Sequence, residues 1–257
     1  MPNSKINGAN LSWRESGRGD AILFLHAFPL HMGMWDPQFA GLAADFRVIA
    51  FDARGFGASS EAPAVLGMDV IADDAAALLQ SLGIERAVVC GLSMGGYAAL
   101  EMYRRHPQLF RGIVLADTKA GADDDEGKAK REAFAKGAVE HGEAWVANEM
   151  LPKLLRKDPD PALAVEVRQL IRQAAPTSVA AGSRGLARRS DSFDLLPTIA
   201  CPALVIVGSD DAITPPKEAN AMVAAIPGAR LVEIPGAAHL SNLEAPAAFN
   251  AALKSLR

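Results

Sequence analysis

Ala87-Val88-Val89-Cys90-Gly91-Leu92-Ser93-Met94-Gly95-Gly96-Tyr97 runs from an apolar strand through one tight turn into an alanine-rich helix reaching His106. A single serine stands at the apex. A serine hydroxyl is a weak nucleophile, and a sharp strand-to-helix turn lifts it clear of the backbone beside a helix N-terminus. Gly91 and Gly95 leave room for neighbouring backbone to pack close. The spacing is that of a nucleophile elbow, with Ser93 as the attacking group.

Outward from this turn, short apolar runs alternate with helical patterns. Residues 21–25, 47–51, 87–90, 112–115, 203–207 and 231–234 read as buried strands. Continuous apolar strands separated by helices imply a parallel sheet covered on both faces. A hairpin over 5–10 and 11–15 opens the chain. Ile71, Ala75, Leu78, Leu79 and Leu82 recur at helical spacing, and Gly83 stops that helix. Residues 243–257 read as a C-terminal amphipathic helix.

One region breaks the alternation. Residues 119–196 show helical patterns and no strand, with Leu163, Val167, Leu170, Ile171 and Ala174 as an apolar stripe. The run Asp123-Asp124-Asp125-Glu126 suits a solvated helix start, acids near the N-terminal end, better than a metal site. This region is expected to be a helical cap inserted into a core made of 1–118 and 197–257.

Composition narrows the function classes. A 257-residue chain suits one sizeable domain with an inserted subdomain. Its 26 basic and 30 acidic side chains give a net charge of −4, with no basic stripe for nucleic acid. Cys90 and Cys201 adjoin strands and read as core residues, not a disulfide. No apolar run approaches membrane-spanning length, and Met1-Pro2-Asn3-Ser4-Lys5 lacks a signal pattern. A cytoplasmic protein with neither membrane nor nucleic-acid partner is the expectation.

A serine nucleophile needs a base, and the base needs an orienting carboxylate. Of the 5 histidines, His239 follows the last strand in Pro235-Gly236-Ala237-Ala238-His239. The C-terminal ends of parallel strands are where such folds collect reactive groups. His106 and His141 read as surface residues, and His26 as a structural partner of loop backbone. The carboxylate lies in Gly208-Ser209-Asp210-Asp211, where Asp210 and Asp211 compete and one of them caps a turn. For an oxyanion hole, the N–H of Met94 follows the nucleophile. The N–H of Phe28, in His26-Ala27-Phe28-Pro29, is the second donor, since Pro29 has none. Asp52-Ala53-Arg54-Gly55-Phe56-Gly57 lacks the lysine of a phosphate loop and reads as a rigid turn.

These five motifs, in this order, resemble the α/β-hydrolase superfamily over nearly the whole chain, and in particular the small bacterial carboxylesterases and 3-oxoadipate enol-lactonases. The resemblance implies a mostly parallel sheet of about eight strands with flanking helices and a helical cap. The family's glycine-x-x-aspartate pattern selects Asp211 over Asp210. It implies a Ser93–His239–Asp211 triad that acts through an acyl-enzyme on a small ester, with an enol-lactone as the alternative substrate and a non-catalytic binding protein as a remoter one. No metal or organic cofactor is implied. Ala27 stands where the family usually has glycine, which bears on the shape of the oxyanion loop.

Overall fold

The computed structural model describes residues 2–256. Its strands are β1 Asn3–Ile6, β2 Ala9–Ser16, β3 Ala21–Leu25, β4 Arg47–Phe51, β5 Ala87–Leu92, β6 Phe110–Ala116, β7 Ala203–Gly208 and β8 Arg230–Ile234. They form one 8-stranded sheet in the order β1-β2-β4-β3-β5-β6-β7-β8. The first two strands pair antiparallel and join the sheet antiparallel through β4; every other pairing is parallel. This is an α/β-hydrolase fold.

The residues explain the order. Successive strand side chains point to opposite faces. Every residue of β3, β5 and β7 is buried, so both faces of the central sheet are covered. At the edge, β8 turns Arg230 and Glu233 to solvent, and charge there discourages pairing with another chain. The β1–β2 hairpin turns at Asn7 and Gly8, both with positive φ (47° and 80°), as two-residue hairpins require.

The helices are α1 Asp36–Leu42, α2 Met68–Ser81, α3 Met94–Arg105, α4 Asp125–Leu154, α5 Pro161–Arg172, α6 Pro176–Ala187, α7 Pro216–Ala225, α8 Ser241–Glu244 and α9 Pro246–Lys254. Helix α2 packs on α3, and α1 on α9. The expected continuous C-terminal helix is interrupted: Ala245 leaves helical geometry (φ −140°, ψ 60°) ahead of Pro246, as the residue before a proline commonly does. The last residue of that expected helix, Arg257, lies outside the described residues.

Helices α4 to α6 fill the interval between β6 and β7, and α4 packs on both α5 and α6. Asp124 caps α4 by accepting from Gly127 N at 2.8 Å, so one acid of the charge run does what its position suggested. Gly142 (φ 80°, ψ −175°) breaks α4 into two limbs. The break lays the Trp145 ring against Gly137, where a Cβ would collide with it. The segment meets the rest of the chain through Leu66 N, which donates to Ala181 O at 3.1 Å. Gly185 lies there so close to the Leu66 carbonyl that a Cβ would overlap it.

Glycine also sets the closest approach in the core. A Cβ on Gly95, in the first turn of α3, would overlap the Leu25 carbonyl at the end of β3. Backbone atoms of a central strand cannot yield as a flexible side chain can. Gly95→Ala is therefore expected to lower stability by about 1–3 kcal/mol. Equilibrium denaturant unfolding of the variant against the parent measures this, and an unchanged midpoint would refute the tight α3–β3 contact.

Candidate active site

The turn after β5 holds Ser93 at φ 54° and ψ −114°. A non-glycine residue persists there only when its surroundings fix it, at a cost of about 1–3 kcal/mol. The surroundings are specific. Ser93 N donates to Ala116 O at 3.0 Å, and Ser93 O accepts from Gly96 N (2.9 Å), Tyr97 N (3.2 Å) and Thr118 Oγ1 (2.9 Å). A Cβ on Gly91 would overlap the Gly95 carbonyl, and one on Gly96 would press on the Thr118 side chain. The small residues let strand, turn and helix close this tightly.

Asp211 follows β7 and is almost fully buried. Its Oδ1 accepts from Ile213 N (2.8 Å) and Thr214 N (3.0 Å), and its Oδ2 from Thr214 Oγ1 (2.7 Å). The same Oδ2 meets His239 Nδ1 at 2.9 Å. Burial alone would raise this carboxyl. The His239 hydrogen bond and charge, with the Thr214 bonds, outweigh burial and hold it below the ordinary carboxylate range. An ionised carboxylate only accepts, so Nδ1 carries the imidazole proton and Nε2 is left as the basic nitrogen. Asp210 is exposed and bonds Ser209 Oγ at 2.9 Å instead. Of the two neighbouring acids, only Asp211 meets the imidazole.

The loop that carries His239 is tied on both sides. Ala238 N donates to Glu244 Oε2 at 2.6 Å, and Leu240 N to Leu154 O at the end of α4 at 3.1 Å. A Cβ on Gly208 would overlap the Ala237 and Ala238 carbonyls, so the end of β7 lies directly on this loop. Ser93 and Asp211 follow β5 and β7, which flank β6. All three side chains thus gather at the C-terminal edge of the sheet. Among the described residues, the Ser93 hydroxyl forms no hydrogen bond to the imidazole; such bonds commonly tighten only around substrate.

The loop after β3 sits next to the elbow, because Leu25 pairs with Gly91 across the β3–β5 ladder. Among the described residues, neither Phe28 N nor Met94 N has an acceptor. For Met94 this follows from its place at the first position of α3. Ala27 keeps a negative φ, so alanine replaces glycine there without backbone strain. Its N–H points to the Met34 sulfur at 3.2 Å. His26 braces the loop: Nε2 accepts from Ala53 N (3.0 Å), and Nδ1 bonds Ala27 O (3.0 Å). Asp52 holds the next turn by accepting from Met32 N (2.8 Å) and Ala58 N (2.9 Å).

Several supporting residues carry little local signal. Thr214 was legible in principle, because an aspartate three residues before a threonine can fold back on it. Ser241 and Asp117 meet across a long sequence separation, which no local pattern reports. Arg184, Arg188 and Arg189 are the basic residues near the end of this segment. Arg184 pairs with Glu132 at 2.9 Å. Arg189 pairs with Asp123 at 2.7 Å, bonds the Leu186 and Gly121 carbonyls, and lies over the Tyr97 ring. Among the described residues, no three His, Cys, Asp or Glu side chains are grouped to hold a metal ion.

With this geometry established, the comparisons decide the family. The α/β hydrolase fold family profile matches residues 20–246. The chain belongs to that family. A thermophilic esterase from Thermogutta terrifontis is 39% identical, with TM-score 0.96 over 99% of this chain and 97% of that one. The enol-lactonase from Burkholderia xenovorans LB400 is 30% identical, with TM-score 0.92 over 99% of each chain. The 3-oxoadipate enol-lactonase 1 of Acinetobacter baylyi is 30% identical over 94% of this chain and 91% of its own. Kinship of this kind supports a hydrolase acting on a small molecule.

The His26 brace makes the fold sensitive to acid. Burial drives its pKa down from 6.5 to about 4, and the Ala27 bond and Asp52 only partly oppose that. The unfolded chain takes up the proton first. The stabilising contribution of neutral His26 is therefore complete above pH 6.5 and is lost as pH falls toward about 4. Thermal unfolding across this window is expected to show a falling Tm that His26→Gln flattens. An equally steep fall in the variant would assign the effect to other groups.

Proposed function

We propose that this protein is a serine hydrolase that cleaves carboxylic esters through an acyl-enzyme. The observation that carries the reading is the buried Asp211–His239 pair at 2.9 Å, at the sheet edge where the strained turn presents Ser93. His239 Nε2 takes the proton of Ser93 as its oxygen attacks the ester carbonyl. The Phe28 and Met94 amides receive the oxyanion, and losing one such donor costs about 10²–10³ in turnover. His239 then protonates the leaving alcohol. Water, activated by the same imidazole, releases the acid. Asp211 holds the imidazole tautomer and stabilises its charged form. No step requires a metal or organic cofactor.

Residues 119–196 act as the cap over a core of 1–118 and 197–257. The Leu240–Leu154 bond supports this, since it ties the end of α4 to the residue after His239. An aromatic series, Phe56–Phe28–Phe134–Trp145, extends from the oxyanion loop into α4 with centroids 6.2, 6.1 and 5.3 Å apart. It favours an apolar acyl or alcohol group, and the shortness of the cap favours a short one. Two free cysteines suit a reducing, cytoplasmic setting.

Kinship with enol-lactonases makes lactone hydrolysis the second reading. Such a substrate carries a carboxylate and calls for a free cation beside the nucleophile. Arg184 and Arg189 are already engaged by Glu132 and Asp123, so among the described residues the exposed Arg188 is the one of these three left without an ion pair for such a substrate.

A panel of p-nitrophenyl esters of graded acyl length beside an anionic enol-lactone tests the assignment, with Ser93→Ala as the blank. The expected result is preferred hydrolysis of short neutral esters and a loss of about 10³-fold or more in Ser93→Ala. Faster turnover of the lactone would transfer the assignment to the second reading. Asp211→Asn should impair the enzyme far more than Asp210→Asn; the reverse ranking would move the acid by one position.

A further inference from the structure

One carboxylate that this chemistry leaves unused lies between the catalytic loops. Asp117 directly follows β6, is wholly buried, and has a positive φ of 41°. Its backbone is stitched to both neighbouring strands. Asp117 N donates to Ile206 O of β7 at 2.8 Å, and the carbonyl just before it, Ala116 O, receives Ser93 N at 3.0 Å. Its side chain reaches further. Oδ1 accepts from Gly208 N at 2.8 Å, and Gly208 O in turn accepts from Asp211 N at 3.1 Å. Oδ2 is hydrogen-bonded to the hydroxyl of Ser241, two residues beyond His239.

We infer that Asp117 is a positioning residue of the hydrolytic site, holding the Asp211 turn and the His239 loop in register with Ser93 through Gly208 N–H and the Ser241 hydroxyl. This rests on the triad reading above. A residue that only filled space would need neither bond, and burying a carboxyl without them is costly. A reacting group displaced by about 1 Å can lose about 10²-fold in rate, so a clamp on two loops acts on turnover.

The surroundings of Asp117 disfavour its charged form. Among the described residues no cation pairs with it, and the titratable groups facing it are Asp211 from the β7 turn and the Cys90 thiol of β5. Burial first, and the Asp211 charge second, push its carboxyl well above the ordinary range. Once protonated, the carboxyl would accept from Gly208 N with one oxygen and keep its bond to the Ser241 hydroxyl, which is the donor in the structure, with the other. Asparagine can do both with its carbonyl and amide, and it tolerates a left-handed backbone. Alanine can do neither.

The test is kcat, KM and the pH profile of Asp117→Ala, Asp117→Asn and Ser241→Ala, each assayed well below its own Tm. Asp117→Ala should lower kcat about 10–100-fold with KM changed less than about 3-fold. Asp117→Asn should recover most of that loss without moving the acid limb of kcat/KM. Ser241→Ala, which removes one of the two bonds, should fall between them, and it carries the test if Asp117→Ala does not fold. Parental kcat in folded Asp117→Ala, or in Ser241→Ala, would overturn the proposal. So would Asn behaving no better than Ala. An acid limb displaced to lower pH in Asp117→Asn would show a charged carboxylate acting on His239 and overturn the positioning role. Activity surviving in Ser93→Ala would instead defeat the triad reading, whatever the Asp117 series shows.

Discussion

The backbone of Ser93 is the constraint around which this molecule is arranged. A left-handed conformation at a residue with a side chain is costly. It is held by three donors on one carbonyl and by a strand carbonyl on its own amide. Those partners come close because Gly91 lets β5 meet the α3 backbone at Gly95, Gly95 lets α3 meet the end of β3, and Gly96 leaves room for the Thr118 side chain. The apolar strands beneath supply the burial, roughly 25 cal/mol per Å² of apolar surface removed from water, that keeps the strained turn closed. Core packing and reactive geometry are in this sense one structure: loosening the first relaxes the second.

A second level of order concerns charge. Two buried carboxyl groups, Asp211 and Asp117, adjoin the loops after β7 and β6, and their environments drive them in opposite directions. Asp211 has an imidazole, a hydroxyl and two amides around it and stays ionised. Among the described residues, Asp117 has the Gly208 and Ser241 amides, the Ser241 hydroxyl, no cation, and Asp211 as a neighbour. In the proposed mechanism Asp211 carries the charge that orients the base, and Asp117 braces the two loops. His26 repeats the theme on the far side of the elbow, where a buried neutral imidazole joins the loop after β3 to the turn after β4.

Much of this was legible in the sequence, for identifiable reasons. The elbow, the strand pattern and the position of His239 are local: glycine spacing, runs of apolar residues and a loop after a strand announce themselves within about ten residues. The parallel sense of the covered strands followed from those same runs. What escaped was non-local or conformational. Asp117 and Ser241 are 124 positions apart, and a lone aspartate after a strand carries no mark of what it will bond. The break in α4 depends on one glycine among helix formers, whose φ of 80° no periodicity shows. Residues around 210 offered two adjacent acids, and the glycine-x-x-aspartate pattern of the resemblance chose between them; the Thr214 turn is what brings Asp211 to the imidazole and leaves Asp210 in solvent.

The central claim is that a strained serine is activated by a buried imidazole–carboxylate pair. Its most direct test is the reaction of the folded protein with a fluorophosphonate ester, followed by peptide mapping of the adduct by mass spectrometry. The account predicts one equivalent of phosphonyl group, located on Ser93, with labelling that slows sharply in His239→Ala. Label on another residue, or equal labelling rates with and without the imidazole, would contradict it.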